Sequence, residues 1–211
     1  MKPVMKCSLS TGVMLSLFTA CSTTQLTGNG SEITNGISGT VIRSSGLPND
    51  GQSVVAAIYS TDYRPDSATG TAETTLVARD GTFHFDPPEN SYNLFIWDTS
   101  SGTGAYLPTL PADTAVGNVP LSEAGITAFA DLSSTGFTAS SYELSIPGSP
   151  YFCRVQGDEP VSIPLLPKGE YLIQIRVFSQ DIVGDEPIFD DIRKIIIIDP
   201  AATDTVVLEI P

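Results

Sequence analysis

The stretch "DGTFHFDPPENSYNLFIWD" (residues 80–98) decides the fold, and "EPVSIPLLPKGEYLIQIRV" (residues 159–177) repeats its plan about eighty residues later. In each, two short runs alternate apolar and polar residues around a proline-containing turn. A period of two is the signature of a strand with one buried face, so each stretch is predicted to be a β-hairpin. In the first, Tyr92, Leu94 and Ile96 share the core-facing side, and Phe95 and Trp97 fall on the other. In the second, Tyr171, Ile173, Ile175 and Val177 form the core stripe.

Working outward from these stretches, each half of the chain divides into seven short runs of strand character. The first half holds "ISGTV", "QSVVAAIYS", "AETTLVAR", "TFHF", "YNLFIW", "AYLPTL" and "AVGNVPL". The second holds "GITAFADL", "SYELSI", "YFCRV", "VSIPLL", "EYLIQIRVF", "IRKIIII" and "TVVLEI". The chain has 18 Gly and 16 Pro residues, and no segment keeps a helical apolar period. Evenly spaced strands between turn residues predict an all-β chain of two tandem seven-stranded β-sandwiches, at 36–121 and 122–211. The unbroken run Ile195–Ile198 reads as a strand covered on both sides.

The N-terminus has a different character. Lys2 and Lys6 precede an apolar stretch from Cys7 to Ala20, too short to span a bilayer, and "LFTAC" follows at 17–21. This segment resembles the signal peptide and lipobox of bacterial lipoproteins. The resemblance implies cleavage of residues 1–20 and acylation of Cys21, giving attachment to a membrane through lipid. Phe18 departs from the commoner Leu. Ser22 after the cysteine implies, by the same resemblance, the outer membrane of the cell envelope. Residues 21–35 are polar and rich in Ser, Thr and Gly, the composition of a flexible tether.

The formal net charge is −14. Removing residues 1–20 takes two lysines and no acid, leaving eight basic residues against 24 acidic. That balance argues against nucleic acid as a partner and, for the surface as a whole, against anionic membranes. Cys153 is the one cysteine outside 1–21, so no intrachain disulfide is expected, and its place in "YFCRV" marks it as a small core residue.

The first half also resembles the carboxypeptidase regulatory-like, or transthyretin-like, domain. The residues that carry the likeness are Gly39, Val41, Gly46, Pro48, Asp80, Gly81, Phe83, Phe85, Tyr92, Leu94 and Ile96. Pro88-Glu89-Asn90 stands where the family has a Pro-x-Gly turn. The second half keeps that turn as Pro167-Lys168-Gly169 before Tyr171 but lacks the Asp-Gly-x-Phe element. The likeness implies an envelope lipoprotein with tandem domains of this kind; another immunoglobulin-like sandwich is the alternative.

Candidate chemistry is sparse. His84 is the single histidine, so no histidine-rich zinc site is available; a serine triad would need His84 as its base and the sequence has no Gly-x-Ser-x-Gly elbow, so no cofactor or catalytic residue is expected. The isopeptide crosslink of pilin-like sandwiches needs an early-strand lysine. Beyond the leader the only lysines are Lys168, in a turn, and Lys194, in a late strand. Two binding motifs stand beside these negatives. The loop at 179–191 gathers Asp181, Asp185, Glu186, Asp190 and Asp191, a supply of oxygens for calcium or simply a solvated acidic loop. Phe95, Trp97, Tyr63 and Tyr106 are aromatics on which sugar rings could stack, or which pack between the two halves. The expected function is a non-enzymatic, lipid-anchored module for structure, adhesion or protein interaction, with carbohydrate binding through exposed aromatics as the alternative. The partner is a protein or a glycan that the residues do not name.

Overall fold

The computed structural model describes residues 5–6, 36–42, 53–88, 90–131, 139–156, 161–179, 187–198 and 205–209. Cys21, the 21–35 tether, Gly46 and Pro48 lie outside the described residues, as do Asp181, Asp185 and Glu186.

Every regular element among the described residues is a strand. The order is β1 (Met5–Lys6), β2 (Ile37–Ile42), β3 (Val54–Ser60), β4 (Ala72–Leu76), β5 (Thr82–Phe85), β6 (Ser91–Asp98), β7 (Thr103–Pro111), β8 (Thr114–Pro120) and β9 (Ser122–Glu123). There follow β10 (Ile126–Asp131), β11 (Ala139–Ser145), β12 (Phe152–Gln156), β13 (Val161–Ile163), β14 (Gly169–Ser179), β15 (Pro187–Ile198) and β16 (Thr205–Glu209).

The pairing shows that the sequence repeat is a repeat of topology. In the first half, β2 runs antiparallel to β5 and parallel to β8, giving a sheet β5-β2-β8; the opposing sheet is β4-β3-β6-β7-β9. In the second half, β10 runs antiparallel to β13 and parallel to β16, and the opposing sheet is β12-β11-β14-β15. Numbered from the first strand of each half, the two small sheets both read 4-1-7 and the two large sheets both read 3-2-5-6. The additions are β9, which extends the edge of β7, and β1, which runs parallel to β13 at Met5↔Val161.

This topology corrects the hairpin expectation. β5 pairs with β2, whereas β6 pairs with β3 and β7. The runs flanking "DPPEN" therefore belong to opposite sheets, and the turn is a corner where the chain crosses the sandwich. Pro87 and Pro88 have no N–H to give to a ladder, so pairing stops there. "PLLPKG" makes the same crossing from β13 to β14. Each corner is tied by the tyrosine that follows it. The Tyr92 hydroxyl donates to the Pro88 carbonyl oxygen at 3.1 Å, and the Tyr171 hydroxyl donates to that of Pro167 at 2.9 Å, both spanning four residues. Both rings are buried, and burial pushes the Tyr171 phenol well above its ordinary range. A buried phenol must find a partner, and at each proline corner a carbonyl of the corner itself supplies it.

Two further local devices follow from composition. At "DGTF", the Asp80 carboxylate accepts from the Thr82 amide at 3.0 Å and the Thr82 hydroxyl at 2.7 Å. Gly81 takes φ +86°, where a side chain is strained. At the end of β6, buried Asp98 accepts from Ser100 Oγ at 2.6 Å, Ser53 Oγ at 2.9 Å and the Ser100 amide at 3.0 Å. Burial alone would raise its pKa, but these hydrogen bonds outweigh it and bring the carboxyl down to about 2.

The first core lies between the sheets of the first half and includes Ile37, Val54, Ile58, Phe83, Phe85, Tyr92, Leu94 and Ile96. Cys153 is buried in the second. The Ile195–Ile198 expectation is overturned. β15 is an edge strand, and Ile195 and Ile197 are 65% and 76% exposed. Asp190 and Asp191, read as part of a loop, lie on that same strand.

Two outcomes follow. Tyr92→Ala should destabilise the chain by about 3–5 kcal/mol in urea melts, as for large-to-small changes at buried aromatics. Tyr92→Phe should cost about 1–2 kcal/mol through the lost hydroxyl alone, and Tyr171→Phe should match it. For Asp98, the folded pKa lies below the unfolded one, so its contribution is complete above about pH 4 and is lost as pH falls toward 2. Asp98→Asn should remove on the order of 2 kcal/mol of that acid-labile stability, read as a flatter fall in urea midpoint between pH 4 and 2.

Candidate functional site

Strand β6 is buried on both faces. Its even positions, Tyr92, Leu94 and Ile96, enter the first core; its odd positions, Asn93, Phe95 and Trp97, are buried against the second half. Phe95 and Trp97, with Ala57 and Tyr59 of β3, belong to the same apolar cluster as Tyr142, Tyr151, Leu166, Tyr171 and Ile173. The outer face of the first sandwich's large sheet is thus continuous with the core of the second.

Polar contacts fix this junction. The Trp97 indole N–H is shared between the Tyr151 hydroxyl at 2.9 Å and the Leu165 carbonyl oxygen at 3.0 Å. The Tyr151 hydroxyl in turn donates to the same Leu165 carbonyl at 2.6 Å. The Asn93 side chain donates through Nδ2 to the Gly148 carbonyl at 2.9 Å and accepts through Oδ1 from the Thr109 amide at 2.9 Å. The Gly148 amide donates to the Tyr63 carbonyl at 2.7 Å. Gly148 has φ +71°, and a Cβ there would meet Asn93 Nδ2 at 2.3 Å, so only glycine fits. On the rim, Arg176 reaches Asp66 at 3.0 Å, and Arg64 reaches it at 3.4 Å. Burial works against the Asp66 charge, but the two guanidinium groups outweigh it and hold its carboxyl below the usual range.

Of the two readings of these aromatics, a sugar platform or packing between the halves, Phe95 and Trp97 follow the second. Phe95 is fully buried and Trp97 is 6% exposed. Odd positions of β6 face away from their own core, but the second sandwich covers them. Phe95 stacks on Trp97 at 5.5 Å between centroids, and Tyr106 stacks on Phe95 at 4.7 Å and on Tyr171 at 4.6 Å. With one ring against it from its own sheet and another from the second sandwich, Tyr106 has no free face to offer a sugar. Burial, with the nearby Glu170 charge, pushes its phenol up to about 12. Tyr63 is half-buried, with its ring centroid 5.0 Å from that of Tyr59.

One open cleft of about 280 Å³ lies beside this stack, lined by Tyr106, Leu107, Asn118, Pro120, Ser122 and Lys168. Among the described residues, no group of three or more His, Cys, Asp or Glu side chains is placed to hold a metal. His84 is exposed on β5. Sequence reasoning missed Asn93, Gly148 and Tyr151. The available signal was Asn93 itself, an amide in line with Phe95 and Trp97, which marks that stripe as a packed face with a buried polar partner.

No family model matches the chain, and no curated protein matches it. Solved structures that share some likeness include the TIE protein of Bacillus anthracis (10% identity, TM-score 0.27, 82% of this chain and 33% of that one). A streptococcal ancillary pilin gives 11% identity and a TM-score of 0.29, over 85% of this chain and 63% of the pilin. A DUF3823 family protein from Bacteroides ovatus gives 12% and 0.30, over 74% and 96%. The chain thus spans a third of the first and under two thirds of the second. At these TM-scores the likenesses assign no role, and the architecture rests on the strand pairing itself.

Trp97 is the chain's single tryptophan, so its fluorescence reports on the junction directly. Trp97→Ala should cost about 3–5 kcal/mol in urea melts, comparable with Tyr92→Ala. Trp97→Phe, which keeps a ring but removes the donor, should cost about 1–3 kcal/mol because the Leu165 and Tyr151 oxygens lose a buried partner.

Proposed function

We propose that this chain is a non-enzymatic, lipid-anchored module of the bacterial cell envelope that serves a structural, adhesion or protein-interaction role. The observation that carries this reading is the double burial of β6. The aromatic residues that could have formed a binding platform are used to join two sandwiches through one continuous core. A pair of domains locked in this way holds its two ends at a fixed separation, which suits a spacer or presenting element. Attachment through Cys21, with residues 21–35 as tether and the outer membrane as destination, follows from the resemblance of "LFTAC" to a lipobox. Several acyl chains on one cysteine, at about 0.8 kcal/mol per buried methylene, give stable anchoring.

The test is metabolic labelling of the full chain with radioactive palmitate, followed by membrane fractionation. Wild-type protein should carry label and sediment with membranes, and Cys21→Ser should lose both. Unlabelled wild-type protein, or processing unchanged by an inhibitor of the lipoprotein signal peptidase, would overturn the anchor.

A further inference from the structure

The two halves are closed in different ways. The first core is built from the first half alone. Among the described residues its buried members run from Ile37 to Leu121, and the partly buried side chains packed against it fall in the same span. The second core borrows from its neighbour. Ala57, Tyr59, Phe95 and Trp97 of the first half are buried in one cluster with Tyr142, Leu144 and Ile173 of the second. Tyr106 adds a further ring, stacked on Tyr171, whose own ring is buried on the core side of β14. The large sheet of the first sandwich thus completes the interior of the second, and nothing is lent in return.

The fit between the halves is close. A Cβ at Gly169, the first residue of β14, would meet the Tyr106 ring at 2.5 Å. That ring cannot retreat, because it is stacked on both Phe95 and Tyr171. A Cβ at Gly104 of β7 would meet Pro167 Cγ at 3.1 Å. The chain also enters the second half along the first. β9 pairs with β7 at Thr103 and Gly104, and just before β10 the Ala124 amide donates to the Gly102 carbonyl at 3.1 Å. Opening of the second half would wet one face of β6 and leave the first core whole. Opening of the first half would withdraw Phe95, Trp97 and Tyr59 from the second core and leave a void there, which a close-packed interior tolerates poorly.

We propose that the first sandwich is the template of the second. Residues 36–121 keep their fold when the second half opens, whereas residues 122–211 keep theirs only while docked on the outer face of β3, β6 and β7. Stability is then graded along the chain, with a partial opening confined to the second half. The order agrees with synthesis, in which the N-terminal half is complete first. A module built in this way yields in two steps under load, lengthening through its second half while the first keeps its shape. The inference stands on the composition of the two cores and does not depend on the lipid anchor.

Amide hydrogen exchange, followed by mass spectrometry on the full chain at low urea, reads the two halves separately. Peptides from β10 to β14 should exchange through an easier opening than those from β2 to β6. Two matched, mild changes at fully buried positions then decide the scheme. Ile163→Val weakens the second core, so it brings both the partial and the complete opening nearer. It should speed exchange in both halves, roughly 2- to 10-fold. Ile96→Val weakens the first core, which stays intact in the partial opening. It should speed exchange by that factor in the first half alone. If both variants speed both halves equally, the chain is one cooperative unit and the proposal is overturned. If each variant acts only on its own half, the sandwiches are independent and the proposal is again overturned. Gly169→Ala tests the docking face itself. Its methyl group would press on Tyr106, so exchange in the second half should rise on the order of 10-fold, and the Trp97 emission shift should move to lower urea. Unchanged exchange of the second half in Gly169→Ala would show that it does not need the face of the first.

Discussion

The covering of β6 on both faces is the constraint from which the arrangement of this molecule follows. A strand in a two-layer sandwich ordinarily keeps one face wet. Here the outer face carries Asn93, Phe95 and Trp97, each with a requirement. The rings must leave water, the indole N–H must find an acceptor, and the amide must satisfy both its ends. The second sandwich meets all three with the Tyr151 hydroxyl, the Leu165 carbonyl, the Gly148 carbonyl and the Tyr171 side of the aromatic stack. Had the second half been a freely hinged neighbour, these groups would have been exposed or unsatisfied for much of the time. The buried polar partners thus set the orientation of the halves, and the stacked rings supply the area that makes it favourable.

The second organising element is the proline corner. A chain that crosses between sheets must leave some carbonyls without ladder partners, and the prolines remove competing donors. A tyrosine four residues on solves this from within the core, because its ring packs between the sheets while its hydroxyl reaches back to the corner. The two halves share this device at Tyr92 and Tyr171 although their corners differ, "DPPENS" in one and "PLLPKGE" in the other. Their shared topology extends to the parallel pairing of first and last strands, which joins the chain's most distant segments within each half.

Much of this was legible in the sequence. Period-two patterning placed the strands, and turn composition separated them, because both are set by local backbone chemistry. Tyr92, Leu94 and Ile96 were correctly assigned to a core for the same reason. Which strands pair was less legible. Two runs around a tight turn look alike whether they form a hairpin or span a corner, and the prolines were the evidence for the corner. Burial of the second face was legible only as one of two readings, since the aromatics of that face could stack on sugars or pack between the halves. The continuous run Ile195–Ile198 looks like a doubly covered strand and is a half-exposed edge, whereas the mixed run "SYNLFIWD" is covered on both sides. Apolar density records what a strand can bury; neighbours decide what it does bury. The choice between the two readings of Trp97 turned on the same point, because its exposure was a question about a domain docked upon it.

The contrast between these two strands also locates the surface available for function. Burying Phe95, Trp97 and most of Tyr151 and Tyr171 at the junction removes the side chains that most often anchor ligands. What the molecule leaves in water is polar and acidic over most of its extent, a surface that repels anions and stays dispersed. Against that background the outer face of β14 and β15 differs, since it keeps the aliphatic side chains of Leu172, Ile195 and Ile197 in water. Retaining Ile195 and Ile197 there costs solvation that Thr or Lys would avoid at equal strand propensity for the former. A sequence that spends its aromatics on joining two domains is organised to hold their relative orientation.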